Sequence, residues 1–301
     1  MWLLRLKGRI FKGIGGFYYV DAPSGVVECR ARGRFRMEKI TPMIGDEVIY
    51  DETEEGKGYL IEILPRKNLF LRPPVSNIDI LAIVASAADP VTETLLIDRM
   101  SAVAAEKGIE PLVVINKCDI DRGDKLYECY MLSGIATVRT SARTGEGGAE
   151  LCERLRGKVS AFSGNSGVGK SSLLNMLEPK SNAEVGEINE RIGRGKHTTR
   201  HCELFKLENG AVIADTPGFS SFAQELSDQI SKEALQYMFP EFEGYIGGCR
   251  YVGCTHTRDE GCAVRAGMEK GEISESRYKS YLWMYEKAKE IKEWERDKNP
   301  R

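Results

Sequence analysis

The sequence predicts a multi-domain α/β protein. An OB-like β-barrel is expected over residues 1–68, a doubly wound sheet over 69–223, and a helical metal-binding segment over 224–301. Short strands bounded by turn residues crowd the first part. Strands and helices then alternate from Ile78 to Ala214. Three cysteines and a histidine finally fall within fourteen residues, Cys249 to Cys262. A chain of 301 residues is long enough for two or three such cores.

Composition narrows the function. Hydrophobic residues make up 42% and charged residues 29%, as in soluble globular proteins. A net charge of −2 supplies no global attraction to nucleic acid, so any such contact must rest on local patches. No apolar run approaches the roughly 20 residues of a membrane span. Met1 to Lys12 mixes Arg and Lys with apolar residues and lacks a leader-peptide pattern. The expectation is a cytoplasmic monomer with no membrane partner. Cys29, Cys118, Cys129, Cys152 and Cys202 are scattered and read as reduced thiols.

In the first part, Gly13–Gly16, Asp21–Gly25, Thr41-Pro42 and Glu55-Gly56 are turn signals. Phe17–Val20, Val26–Cys29, Glu47–Tyr50 and Tyr59–Leu64 lie between them and read as strands. About five short strands in this length predict a barrel of OB type, with a small sandwich as the alternative. Arg30, Arg32, Arg34 and Arg36 recur at spacing two. In an extended strand all four share one face, with Phe35 and Met37 on the other. That face reads as a stripe contacting RNA phosphates; the bland alternative is a solvated edge strand.

Pro73-Pro74 reads as a linker. Beyond it, Ile78–Ala85 is a continuous apolar strand, and Thr92–Lys107 a helix with Leu95, Leu96, Ile97, Met100, Val103 and Ala104 on its apolar side. Strands follow at Pro111–Ile115, Ala136–Thr140, Lys158–Phe162, Cys202–Leu207 and Ala211–Ala214. Helices fall between them at Asp124–Leu132, Gly147–Arg156 and Lys170–Leu177. This alternation predicts a doubly wound sheet with helices on both faces. From about Gln224 the pattern changes. Ser274–Arg296 reads as a helix in which Tyr278, Tyr281, Leu282, Tyr285, Ala288 and Ile291 form a packing stripe.

Gly164-Asn165-Ser166-Gly167-Val168-Gly169-Lys170-Ser171, followed by Ser172, has the full GxxxxGK[ST] pattern between a strand and a helix. Gly164 and Gly169 permit backbone conformations that a side chain would block. The loop amides and the helix N-terminus then face phosphates. Lys170 neutralises β- and γ-phosphate oxygens, and Ser171 offers a hydroxyl to Mg²⁺. Asn116-Lys117-Cys118-Asp119 follows a strand. Asp119 can accept both N–H donors on one edge of guanine, a pair that adenine lacks. Lys117 can lie along the base plane. Thr140-Ser141-Ala142 matches the short base-contacting element that accompanies NKxD. Asp215 of Asp215-Thr216-Pro217-Gly218 can hold an Mg²⁺-bound water, and the Gly218 amide can meet the γ-phosphate. Phe219 stands where many GTPases carry the glutamine that orients water. Gly193 to Arg200 falls where a first switch belongs, with His197 nearest to a role in positioning water and a threonine expected to complete the Mg²⁺ shell.

These elements are those of a GTPase, in a rotated order. The base-reading motif precedes the phosphate loop, whereas Ras-like chains have the phosphate loop first. The rotation attaches the last switch directly to the C-terminal part of the chain. Cys249-x4-Cys254-x-His256-x5-Cys262 offers three thiolates and one imidazole, a closed tetrahedral set for structural Zn²⁺; a disulfide or free thiols is the alternative.

In its permuted order, GNSGVGKSS, GKHTTR, DTPGF and cysteine cluster, the chain resembles the ribosome small-subunit-dependent GTPase A (RsgA) family over essentially its whole length. The resemblance implies an OB domain, a circularly permuted GTPase domain and a C-terminal zinc domain. It implies binding to the small (30S) ribosomal subunit, 16S rRNA and proteins included, late in assembly. GTP hydrolysis to GDP is expected to be weak until the subunit stimulates it. By position, it implies Mg²⁺ ligation by Ser171 and Thr199 and a catalytic role for His197 beside Lys170; Thr198 competes with Thr199. A second reading from another class is a nucleotide-dependent RNA-binding or scaffold protein in which hydrolysis only resets binding. A third, a GTPase serving a membrane or signalling partner, is disfavoured by the absence of a lipidation signal.

Overall fold

The computed structural model describes residues 5–23, 25–54, 56–71, 73–177, 202–215, 227 and 229–290. Contacts divide the chain into two compact units. One comprises Met1–Ile80, Cys152–Phe162 and Leu177–Phe219; the other comprises Leu81–Leu151, Ser163–Met176 and Ser220–Arg301.

In the first unit, strands β1 (Arg5–Ile14), β2 (Phe17–Ala22), β3 (Gly25–Ala31), β4 (Glu47–Glu54) and β5 (Lys57–Ile63) pair in the order β1-β2-β3-β5-β4. Pairing of β1 with β4, from Arg5↔Asp51 to Arg9↔Glu47, closes the ring. This is the OB-like barrel that the turn spacing predicts. Ile10, Val20, Val27, Cys29, Val48, Tyr50 and Leu60 fill it and are buried. Strand β1 is an addition to the predicted strands; its charges at Arg5, Lys7 and Arg9 alternate with Leu6, Gly8 and Ile10, the period of a half-buried strand.

The arginine stripe is corrected by the structure. Strand β3 ends at Ala31, and α1 (Gly33–Met37) replaces the extended run. Two local interactions favour the helical turn. Phe35 is buried, and Arg34 pairs with Glu38 at 2.5 Å across i,i+4. Arg30 remains on the strand, over the Phe17 ring at 4.6 Å, while Arg32 bonds Asp51 at 2.6 Å. Arg36 is helical, so the four guanidinium-bearing positions do not share one strand face.

The same unit carries β11 (Val159–Ser163), β12 (Glu203–Lys206) and β13 (Val212–Asp215). Strand β13 runs parallel to β11 and antiparallel to β12, and β12 pairs with barrel strand β1 at Lys12↔Glu203. Pro73 is not in a free linker. It lies in the turn of a two-stranded ribbon, β6 (Leu69–Leu71) with β7 (Pro74–Ser76), whose Phe70 and Val75 are buried.

In the second unit, β8 (Ile80–Ser86), β9 (Glu110–Asn116) and β10 (Ala136–Arg139) are neighbours in the order β10-β9-β8. All of β8 and the last five residues of β9 are buried. Such unbroken apolar runs belong to strands covered on both faces. Helices α2 (Thr94–Glu106), α3 (Asp124–Leu132), α4 (Gly148–Leu155) and α5 (Lys170–Leu177) fall where the apolar periodicity predicts them. The C-terminal part holds short α6 (Lys232–Leu235), α7 (Ala263–Glu269) and α8 (Glu275–Glu290). Positions 291–296 of the predicted last helix lie outside the described residues. Tyr278, Tyr281, Tyr285 and Ala288 are buried, as a packing stripe requires.

Candidate nucleotide and metal sites

The phosphate loop leaves β11 at Ser163 and enters α5 at Lys170. Gly164 has φ 141° and Gly169 φ 97°, both in the region that favours glycine. A Cβ on Gly164 would strike the Val84 carbonyl; one on Gly169 would strike the Asn116 side-chain amide. Asn165, Ser166 and Gly167 are exposed above a buried Val168. The Lys170 ammonium donates to the Gly164 and Asn165 carbonyls, each at 2.7 Å. Burial holds its pKa below the ordinary lysine value, a penalty that a bound anion relieves. Ser171 and Ser172 are exposed in the first turn of α5, where the helix terminus favours phosphate.

The base motif begins where β9 ends. Asn116 is buried and reads three groups. Its amide donates to the Val168 carbonyl at 2.8 Å. Its oxygen accepts from the Ala142 amide at 3.1 Å and the Thr140 hydroxyl at 3.4 Å. Ala142 thus serves here to hold Asn116. Lys117 sits at φ 64°, a left-handed conformation rare for a side-chain-bearing residue, and donates to the Asp89 carbonyl at 2.5 Å.

Asp119 is prepared as an acceptor. The Ser141 hydroxyl donates to Oδ1 at 2.6 Å. Arg143 lies 2.7 Å from Oδ2 as an ion-pair partner. The Ser141 hydrogen bond, assisted by the Arg143 charge, holds the carboxyl below the usual carboxylate range. The group is therefore ionised at neutral pH, a carboxylate that can only accept. An N–H edge such as that of guanine suits such an acceptor; an edge without those donors does not.

Asp215 ends β13 in the other unit, and its backbone alone is described. His197, Thr198, Thr199, Gly218 and Phe219 lie outside the described residues.

The cysteine cluster assembles as predicted. Ligand atoms of Cys249, Cys254, His256 and Cys262 lie within 4.8 Å of one another. Nδ1 of His256 is 3.5 Å from both Cys249 Sγ and Cys262 Sγ. Its Nε2 lies 2.9 Å from Gln236 Oε1, an acceptor that fixes the proton on Nε2 and leaves Nδ1 for a cation. Backbone amides of Ala263, Arg265 and His256 donate to Cys249, Cys262 and Cys254 at 3.3, 3.4 and 3.4 Å. Burial pushes the Cys254 thiol up to about 12 and raises Cys262. Clustered buried thiols resist ionisation until a cation offsets the charge, and three sulfurs with one imidazole nitrogen suit a soft tetrahedral ion.

Sequence reasoning missed Gln236 and the support from α8. The Tyr278 and Tyr281 hydroxyls donate to the His256 and Thr255 carbonyls at 2.8 and 2.7 Å, bracing a loop in which His256 takes φ 58°. It also missed Arg277. This buried guanidinium bonds Glu241 at 2.7 and 3.0 Å and Asp98 at 2.8 Å, locking α8 onto α2. Burial opposes its charge, and the two carboxylates more than offset that, raising its pKa. On the barrel, Arg30 is the register partner of both Phe17 and Tyr59, forming one row across three strands, with Tyr59 43% exposed.

Two segments of the chain match known family profiles. The RsgA GTPase family profile matches residues 63–225, and the RsgA N-terminal domain profile residues 7–60. A "Small ribosomal subunit biogenesis GTPase RsgA" from Caldanaerobacter subterraneus subsp. tengcongensis is 44% identical over 98% of this chain and 99% of that protein. One of the same name from Geobacillus kaustophilus is 43% identical over 95% and 98%. Among solved structures, YjeQ from Thermotoga maritima aligns with TM-score 0.82 at 34% identity, covering 96% of this chain and 100% of that one. YloQ, described as a circularly permuted GTPase, aligns with TM-score 0.80 at 35% identity over 99% and 97%. With its motifs in permuted order, an OB-like barrel ahead of them and a Cys/His cluster behind, this chain belongs to the RsgA GTPase family.

Proposed function

We propose that this GTPase binds the small ribosomal subunit during late maturation and hydrolyses GTP when the subunit engages it. The observation that carries the base assignment is the Asp119 carboxylate, held ionised by Ser141 and Arg143 at the end of the base motif. The relatives named for small-subunit biogenesis, matched nearly end to end, support the partner. Residues 1–68, 69–223 and 224–301 serve as barrel, GTPase and metal-binding parts, in a protein read as a cytoplasmic monomer.

In this reading the amides of residues 164–169 and Lys170 hold the β- and γ-phosphates, and Asn116, Lys117, Asp119, Ser141 and Ala142 build the base site. Ser171, Thr199 and Asp215 would hold Mg²⁺, which when bound would supply neutralising charge to the phosphates. His197 positions the attacking water in place of the glutamine that Phe219 displaces, and the Gly218 amide senses the γ-phosphate. Cys249, Cys254, His256 and Cys262 bind one structural Zn²⁺. The row Phe17–Arg30–Tyr59, rather than a straight arginine stripe, offers stacking and charge to RNA.

The test is hydrolysis by the purified protein with and without 30S particles, using GTP and ATP. GTP turnover should be slow alone and rise with subunits, by analogy with the gains of about 10³–10⁵ that partners give other GTPases. His197→Ala should lower the stimulated rate and spare nucleotide affinity. Equal use of ATP, or no response to subunits, would sink the proposal.

A further inference from the structure

Strand β1 does two jobs along one edge. From Arg5 to Arg9 it pairs with β4 and closes the barrel. A bulge then intervenes. Opposite β2, Ile10 pairs with Val20 and Lys12 with Tyr19, leaving Phe11 as the extra residue. Such a bulge bends a strand and re-aims its later residues. Past the bulge, Lys12 becomes the register partner of Glu203, the first residue of β12. Their side chains form an ion pair at 3.1 Å, with 23% and 35% of each exposed.

Glu203 has a second partner. On its other edge it is in register with Asp215, the last residue of β13. One line therefore runs Lys12–Glu203–Asp215 across three strands. Its middle member stands three residues past Arg200 of the GKHTTR segment, and its last member opens Asp-Thr-Pro-Gly. Both switch motifs are thus attached to the strand pair that the barrel grips. A second ion pair, Lys206 with Asp21 at 3.6 Å, ties the other end of β12 to β2.

We propose that Lys12 and Glu203 are positioning residues that couple partner binding at the barrel to the two switch ends. Lys12 neutralises the carboxylate placed in register beside Asp215 and fixes where β12 begins. Load on the barrel shifts β1, and the cross-strand charge pair passes that shift to the strand between the switches. The inference rests on the small-subunit reading above for the identity of the load, but not for the coupling itself.

The experiment uses the full-length protein and four variants: Lys12→Glu, Glu203→Lys, the double reversal, and Lys12→Arg. Each single reversal should cut the subunit-stimulated kcat about fivefold, the scale of one cross-strand charge pair. KM for GTP and the unstimulated rate should stay within about twofold, and the double reversal and Lys12→Arg should restore stimulation. Single variants with full stimulation, or a double reversal that fails to recover, would overturn the coupling. Amide exchange gives an arm independent of ribosomes. Peptides covering Phe11–Gly13 should exchange differently with GDP and with a non-hydrolysable GTP analogue, and Lys12→Glu should abolish the difference. Identical exchange in the wild type overturns the coupling. If subunits fail to stimulate the wild type, the small-subunit reading fails, and exchange alone decides for or against the coupling.

Discussion

The Asn116 side-chain amide donates to the Val168 carbonyl at 2.8 Å, joining the base motif to the phosphate loop. The same amide occupies the space that a Cβ at position 169 would need. Circular permutation moves these motifs along the chain, yet this bond keeps them in one arrangement. Replacing Asn116 with Ala leaves the Val168 carbonyl and the Ala142 amide without their partner. That loss costs about 1–3 kcal/mol, so GTP and GDP affinity should fall roughly tenfold or more. Titration calorimetry with both nucleotides checks it. Unchanged affinity would mean the bond only shapes the loop.

Asp119 gives a base-choice prediction with a pH sign. Its folded pKa is depressed by Ser141 and then Arg143, so the ionised form persists as pH falls. Guanine affinity should be flat from about pH 8 to about pH 5 and decline only below the ordinary carboxylate range. Ser141→Ala removes the larger cause and should move the decline upward. Asp119→Asn should weaken guanine and improve xanthine binding.

Much of this was legible in the sequence because motif spacing is a backbone property. Lys170–Leu177 and Asp124–Leu132 have the predicted helical bounds, since glycines and apolar periodicity mark them locally. The arginine run misled because period two places Phe35 on the far face of a strand, whereas its burial is met by a helical turn. The Pro73-Pro74 linker reading carries no sign that barrel strand β1 pairs with β12. The β1–β12 pairing joins residues 191 apart, and no local pattern announces a contact at that separation. Gln236 and Arg277 were hidden for the same reason.

For the barrel, the row Phe17–Arg30–Tyr59 predicts graded losses. Tyr59→Ala should weaken subunit binding by about 1–3 kcal/mol if a base stacks there. Arg30→Ala should weaken it and flatten its salt dependence. Arg34→Ala should do little, because that guanidinium is exposed and paired with Glu38. Equal losses at Arg30 and Arg34 would favour a diffuse basic surface over the row.

Gln236 supplies a test of the metal centre that spares all four ligands. Its side-chain oxygen fixes the His256 ring through Nε2 at 2.9 Å. Gln236→Ala should lower zinc affinity about 10–100-fold, as losing such outer partners does elsewhere. Cys262→Ser should cost far more and loosen the C-terminal part, because structural zinc binding is itself folding energy. Competition with a chelator, followed by zinc content, measures both. Equal zinc retention by wild type and Gln236→Ala would show that the ring needs no outer support.

The buried triad makes the last prediction. Arg277 serves Asp98 and Glu241 at once, and among the described residues the buried Asp98 Oδ2 has no hydrogen-bond partner. Tyr130 adds a hydroxyl to Asp98 at 2.9 Å, and Phe239 lies under the guanidinium at 4.5 Å. Two carboxylates on one cation leave the cluster short of positive charge. Removing the cation therefore costs more than removing one carboxylate. Arg277→Met strands both anions and should destabilise the fold by about 3–5 kcal/mol, whereas Glu241→Gln keeps an acceptor, lowers the negative excess and should cost far less. Urea unfolding compares the two, and zinc content reports whether the C-terminal part stays formed. If both variants lose the same stability, the triad acts as simple packing, and its charges do not hold α8 on α2.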